Sequence, residues 1–368
     1  MLHHQLALSL IPGIGPKLAR TLLSYLGSCE AIFDPKSDFS KIPGIGSITA
    51  QRLRQVDKGS LLKTAEREID FLTKNQIKAR FFTDEDYPER LSYCEDAPLL
   101  IFTEGPADLD APKIVSIVGT RKPTADGIEL CEKLVEALAR RHPGTLIVSG
   151  LAYGIDICAH RSALQFGLPT AAVLAHGLDR IYPGMHRSTA REIAFKGALV
   201  TEFLTGTNPD RPNFVKRNRI VAGLCDATVV VESAHKGGAL ITAGIAASYN
   251  RDVLAFPGRV NDPLSGGCNR LIKTNTAALI ESIEDLEYAL GWESATNNEL
   301  PTQGSLFKAP DTPQEKLVLD LLQNEKEMNL NLISMNSGIP IPKLAATLLD
   351  LEFKGLVKSR PGGIFRLL

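Results

Sequence analysis

The chain has no apolar run approaching the roughly 20 residues that a bilayer-spanning helix requires. Its first residues, MLHHQLALSLIPGIGPK, place no basic stretch ahead of an apolar one, so neither a membrane span nor a secretory leader is expected. Six cysteines (Cys29, Cys94, Cys131, Cys158, Cys225 and Cys268) are scattered without a CxxC pair. That pattern argues against zinc spacing and disulfides, and for buried thiols in a reducing, cytoplasmic compartment; no structural metal and no cofactor are expected. An excess of charge is missing too. Lys and Arg number 41 against 42 Asp and Glu, a net charge of −1, so any role with nucleic acid rests on local charge rather than on a polycationic surface. Absent as well is GxGxxG: the first glycine-bearing loop after an apolar run reads SIVGTRKPTADG (Ser116 to Gly127), which disfavours a dehydrogenase.

What is present fills two or three domains. The 368 residues, 44% hydrophobic and 23% charged, suffice for a sizeable core at about 100–200 residues per domain. The first 60 residues hold a repeat: Leu10-Ile-Pro-Gly-Ile-Gly-Pro-Lys-Leu-Ala-Arg and Ile42-Pro-Gly-Ile-Gly-Ser-Ile-Thr-Ala-Gln-Arg share PGIG before a helical pattern. In each copy the glycines permit a tight turn, and the next helix begins with backbone N–H groups near a cation, Lys17 in one and Arg52 in the other. The copies resemble helix-hairpin-helix units (a SAM-like tandem), which hold a phosphate on that turn; the plainer reading is a pair of hairpins that only pack on the next domain. Residues 61–110 read as a connecting subdomain with a helix over 61–74, a strand over 78–82 and a final strand.

From 111 to 292, apolar runs alternate with helix-length segments, the pattern of a Rossmann-like parallel sheet with crossover helices. Strands are expected at 113–118, 145–149, 170–175, 199–202, 227–232 and 252–256, with ligands at their carboxyl ends. There Gly119-Thr120-Arg121 puts a glycine, a hydroxyl and a guanidinium suited to an anion. In SGLAYGIDICAH (Ser149 to His160), small residues admit close approach; Asp156 and His160 could do acid–base work, but helix capping by Asp156 and packing of His160 under the sheet is the preferred reading. AVLAHGLDRIYPGMHR (Ala172 to Arg187) ends in a Tyr-Pro turn. Phe214 stands beside Lys216, Arg217 and Arg219; an aromatic among cations suits unpaired bases, at about 1–3 kcal/mol per stacked base, while a core Phe is the plainer alternative. Residues 293–312 lack periodicity and read as a linker. Residues 313–368 have a winged-helix outline of three helices and a hairpin turning at Pro361-Gly-Gly. Its third helix has Lys343 at the start but Asp350 and Glu352 near the end, which favours protein contact over reading DNA.

Taken in order, Tyr87, Pro88, Leu91, Asp96 and Pro98, then the loops from Gly119, Ser149, Ala172 and Phe214, then GGALITAGIAASYNRDVLAFPG (from Gly237) and GCNRLIKTNTAALI (from Gly267) resemble the DNA-processing protein A (DprA/Smf) family across almost the whole Rossmann-like region. The resemblance implies a cytoplasmic, non-enzymatic homodimer. Such a protein binds single-stranded DNA with little sequence preference, protects incoming strands in natural transformation and helps load the recombinase RecA. Position by position, it puts the DNA pocket on Arg121, Ser149, Gly150, Phe214, Lys216, Arg217, Asn218 and Arg219; the loop and hairpin readings add Gly119, Thr120, Lys17 and Arg52 as accessory phosphate contacts. This chain departs from the family at Val215 (usually Pro), His186 (usually Asn), Gly237-Gly238-Ala239 (usually Ser-Gly-Ser) and Asn275-Thr276-Ala277 (usually Gly-Ala). None of these removes a cation. Two rivals share such a pocket: a nucleotide phosphoribohydrolase of the lysine-decarboxylase-like group, whose glycine loop carries a catalytic glutamate that Gly237 to Gly244 lacks, and a nucleotide sensor that would not need Phe214.

Overall fold

A computed structural model describes residues 1–292, 312–324, 328–354, 356–360 and 364–367, which divide into two compact units, 1–293 and 294–368. The expected linker, all but its last residue, and the Pro361-Gly-Gly turn lie outside the described residues.

In the first unit the two PGIG copies make the same turn. Gly13 and Gly44 sit at φ +77° and +81°, where a side chain is strained, and the N–H of Ile14 and of Ile45 returns to the carbonyl of Ile11 and of Ile42. Gly15 and Gly46 then cap the helices Pro16–Leu26 and Ser47–Gln55. Their apolar faces close over Leu2–Ser9 and Lys58–Lys74 into one core with Leu6, Leu22, Phe39 and Leu53.

Nine strands form the main sheet: β1 (Lys78–Phe81), β2 (Leu100–Glu104), β3 (Ile114–Val118), β4 (Leu146–Ser149), β5 (Thr170–Val173), β6 (Ala198–Thr201), β7 (Ala227–Val230), β8 (Asp252–Ala255) and β9 (Ala278–Leu279), in the order β1-β2-β6-β5-β4-β3-β7-β8-β9. The six expected strands are β3 to β8, and all pair in parallel. They are buried on both faces, except for Asp252 at the start of β8, which is why their sequences read as continuous apolar runs rather than alternating ones. The sheet is nonetheless mixed: β1 and β2 add antiparallel to the β6 edge. The lead-in motif is a brace for this arrangement. Tyr87 Oη donates to the Pro98 carbonyl at 2.7 Å, and Arg90 pairs with Asp226 at 2.7 Å, whose carboxylate also accepts the N–H of Ile114.

The second unit has helices Pro313–Asn324, Leu330–Ser337 and Ile341–Phe353 and a hairpin of Val357–Arg360 with Ile364–Leu367, joined by the short strand Met328–Asn329. Val318, Leu322, Ile333, Leu344, Leu348 and Val357 form its core. This is the winged-helix outline with one added strand. Among the described residues no helix is long and apolar enough to cross a membrane.

Candidate functional site

Strands β4, β5 and β6 lie on one side of β3, and β7, β8 and β9 on the other. The loops leaving β3 and β7 therefore diverge, which opens a crevice at the carboxyl ends of the strands. A cleft of about 1040 Å³ lies there, walled by those loops, by the loop after β4, and by the helices Arg211–Gly223 and Gly238–Ser248.

The loop after β3 is fixed before it reaches Arg121. Thr120 N–H donates to the Glu232 carbonyl at 2.7 Å, and the Thr120 carbonyl accepts from Ile155 N–H at 3.2 Å. The buried Glu232 carboxylate takes both the N–H and the hydroxyl of Thr124, at 2.9 and 2.8 Å. Two glycines are required by close approach. A Cβ on Gly119 would strike the Ile155 side chain, and one on Gly154, at φ +78°, would strike the Thr120 carbonyl. Arg121 itself is exposed.

In the loop after β4, Gly150 borders the cleft, while Ser149 is fully buried and its hydroxyl donates to the Ile117 carbonyl at 2.6 Å. Ser149 thus ties β4 to β3 and does not reach the cleft. Asp156 does not cap its own helix, whose N-cap is Gly154 with no side-chain bond; the carboxylate instead accepts the N–H groups of Gly150 and Ala152 at 3.2 and 3.4 Å and holds the loop in place. Burial pushes its carboxyl above the usual range, with Arg217 and those two bonds pulling the other way. His160 packs under the sheet, its Nδ1 2.7 Å from Thr170 Oγ1. Burial lowers its pKa to about 3, so the ring is neutral and takes no part in acid–base work near neutral pH.

The helix Arg211–Gly223 sorts its residues by period. Arg211, Phe214, Val215 and Asn218 recur at helical spacing and line the cleft. Phe214 is half-buried and belongs to no core cluster; its ring centroid lies 5.5 Å from the Arg121 guanidinium carbon and 5.9 Å from the Tyr182 ring. Arg217 points inward: it is 3% exposed and donates to the carbonyls of Gly150, at 2.6 Å, and Val173. Burial lowers its pKa to about 10, which leaves it charged near neutrality beside Asp156. A Cβ on Gly150 would collide with this guanidinium, so Gly150 is a packing glycine as well as a cleft residue.

Lys216 and Arg219 turn the other way. Both pair with Glu202, at 3.1 and 2.6 Å, and neither borders the cleft; three cations close in sequence do not share a face when each residue advances about 100°. Lys17 is exposed and paired with Glu95 at 3.2 Å. Arg52 lays its guanidinium over Gly13, joining the second hairpin copy to the turn of the first. Neither hairpin cation is brought to the cleft. The cleft also gathers Arg211, which opens an acid-free basic stretch, and two residues that the sequence pattern does not single out, Lys236 and Arg270, all three exposed, with the N-terminal end of the helix Gly238–Ser248, whose partial positive charge favours anions. The signal for Arg211 is its place one turn before Phe214; Lys236 and Arg270 stand alone in sequence and give none.

The lining thus holds five Lys and Arg side chains against the single carboxylate of Asp156. Such a site can hold phosphates on its cations and a flat ring against Phe214.

The sequence matches the family of DNA recombination-mediator protein A over residues 78–291, a SAM-like helix-hairpin-helix tandem over 6–55 and the DprA winged helix domain over 307–363. It is 32% identical to the protein Smf of Synechocystis across 97% of this chain and 96% of that one. Identity to the DNA processing protein DprA of Streptococcus pneumoniae is 36% across 65% and 80%. The X-ray structure of DprA from Streptococcus pneumoniae superposes with a TM-score of 0.62 at 30% identity, covering 78% of this chain and 98% of that one. A structure of DprA from Helicobacter pylori, solved for its single-stranded DNA binding mode, gives 0.53 at 30% identity, covering 59% and 96%.

Proposed function

The chain belongs to the DNA-processing protein A (DprA/Smf) family, and from that premise we propose that it binds single-stranded DNA in the cleft between β3 and β7, without turnover. The observation that carries this is Phe214, held half-buried between Arg121 and Tyr182 in a wall of cations. An aromatic platform beside a positively charged groove binds unpaired bases with little regard to their identity. The binding set is Arg121, Gly150, Phe214 and Asn218 with Arg211, Lys236 and Arg270; Arg217 supplies charge from below, Gly119 and Thr120 shape the loop, and Ser149, Lys216 and Arg219 act through packing and ion pairs. The partner protein is a recombinase of the RecA type, to which the bound strand is passed. This rests on the family's description as a recombination mediator. The working form is a cytoplasmic homodimer, a reading drawn from the family.

The carboxylates argue against turnover. Gly237 to Gly244 supplies none, and Asp156 is committed to two backbone N–H groups. A fluorescence-anisotropy titration tests the proposal. Labelled single strands are expected to bind with clear salt dependence and more tightly than duplex of the same length. A preference for duplex, or base released from nucleoside monophosphates on incubation, would overturn it.

A further inference from the structure

The Tyr-Pro turn after β5 touches the cleft through Tyr182 against Phe214, while the residues just before it line a second depression. That depression, of about 300 Å³, is lined by Arg180, Ile181, Arg187 and Arg191 among others. The Tyr182 ring, 45% exposed, leans on Phe214, which lines the cleft, while its neighbours Ile181 and Arg180 line the depression. From the other side, Arg180 donates to Asn208 Oδ1 at 2.5 Å, and the next residue, Pro209, lines the cleft.

The second depression carries more cations than acids, Arg180, Arg187 and Arg191 against Glu104 and Asp179. Arg187 and Arg191 stand one turn apart, exposed and without an ion pair among the described residues. Arg187 opens the ten-residue helix Arg187–Lys196, whose first turn holds no acid; a cation at that positive end is disfavoured unless an anion covers both. Of the two carboxylates in the lining, Asp179 is neutralised by Arg180 at 2.8 Å. The other, Glu104, stands at the end of β2, so the lining keeps one carboxylate, unpaired among the described residues, against Arg187 and Arg191.

We propose that Tyr182 bridges the cleft to a second phosphate subsite on Arg187 and Arg191, along which a single strand too long for the cleft continues. This rests on the cleft binding single-stranded DNA. The experiment uses the full chain and two labelled oligothymidylates, of about 6 and about 20 nucleotides, one near the short end of the usual site sizes and one beyond them. The variant carries Arg187→Gln with Arg191→Gln. The expected result is unchanged affinity for the short strand, an affinity for the long strand about tenfold lower, and a salt slope for the long strand smaller by about 1.4, two single-strand phosphate contacts at about 0.7 each. Tyr182→Ala should weaken the long strand more than the short one. Wild-type affinity and slope for the long strand in the arginine variant would overturn the subsite while leaving the cleft standing; so would equal losses for both lengths, which would place the arginines' effect in the cleft. Failure of the unmodified protein to bind either strand would overturn the cleft and the subsite together.

Discussion

Phe214 and Arg121 face each other at 5.5 Å, yet they should fail in distinguishable ways when removed. The Phe214 ring is half-buried, with Tyr182 tilted against it and the exposed Arg121 side chain over it, so it takes a single base once that side chain moves off onto a phosphate. Phe214→Ala should therefore cost one stack, about 1–3 kcal/mol, or about 5- to 150-fold in Kd. Because no charge is lost, the slope of log K against log salt should stay as it was. Arg121→Ala removes a phosphate contact, so its slope should fall by about 0.7. It also removes the cation from over the ring, an attraction of about 0.5–1 kcal/mol at an exposed site. That contact exists in the unbound protein and is given up when a base takes the ring, so each single substitution recovers its cost and the double variant should lose more than the sum of the single losses by about that coupling. Anisotropy titrations of all four proteins at several salt concentrations read each quantity. Binding by Phe214→Ala within twofold of wild type, or a salt slope changed by Phe214→Ala and unchanged by Arg121→Ala, would refute the assignment of stacking to one residue and charge to the other.

Two further outcomes follow from buried groups away from the cleft. Glu68, on the helix Lys58–Lys74, takes the N–H of Thr205 at 3.1 Å and its hydroxyl at 2.6 Å, tying the helical region to the loop that leads into the helix bearing Phe214. Glu68→Ala leaves those donors unpaired at a cost of about 1–3 kcal/mol, so the thermal midpoint should drop by roughly 2–10 °C; an unchanged midpoint would show that the tie carries no stability. His160 is lowered from 6.5 to about 3 by burial, so between those pH values the unfolded chain binds a proton that the folded chain refuses. Its contribution is full above 6.5 and is lost as the pH falls toward 3, by at most about 1.4 kcal/mol per pH unit. Denaturant titrations across that window should give a shallower loss for His160→Gln than for wild type, and parallel curves would refute the assignment.

The sequence disclosed the sheet because a parallel sheet buried on both faces writes its strands as apolar runs such as IVSIV and ATVV. It did not disclose β9, whose two exposed residues, Ala278 and Leu279, hold too little pattern to see. Nor did it show that β1 and β2 would close the β6 edge, since antiparallel addition depends on where the chain returns rather than on the strand's own residues. The loops at the strand ends were legible from their glycines for a related reason: Gly119, Gly150 and Gly154 stand where a Cβ would meet Ile155, Arg217 or the Thr120 carbonyl. The positions that must lack a side chain are the positions where the cleft's walls are locked together.

Charge was the harder reading, because a cation's role is decided by what lies across from it. Lys216, Arg217 and Arg219 look equivalent in the string FVKRNRI, but the helix sends two of them to Glu202 and one beneath Gly150. Arg211, Phe214, Val215 and Asn218, by contrast, obey the spacing of a single helix face, so helical periodicity alone is enough to group them. No periodicity reveals the pairing of Arg217 with two backbone carbonyls, since Gly150 and Val173 lie 67 and 44 residues away. Arg217 and Asp156 also spend their hydrogen bonds on the framework, while Arg121, Arg211, Lys236 and Arg270 make no ion pair with any described residue. A site in which the buried charges are committed and the exposed ones are uncommitted has its anion affinity at the rim, where a strand can slide. That is the arrangement expected of a binder with little sequence preference, because phosphate contacts position a strand without reading it.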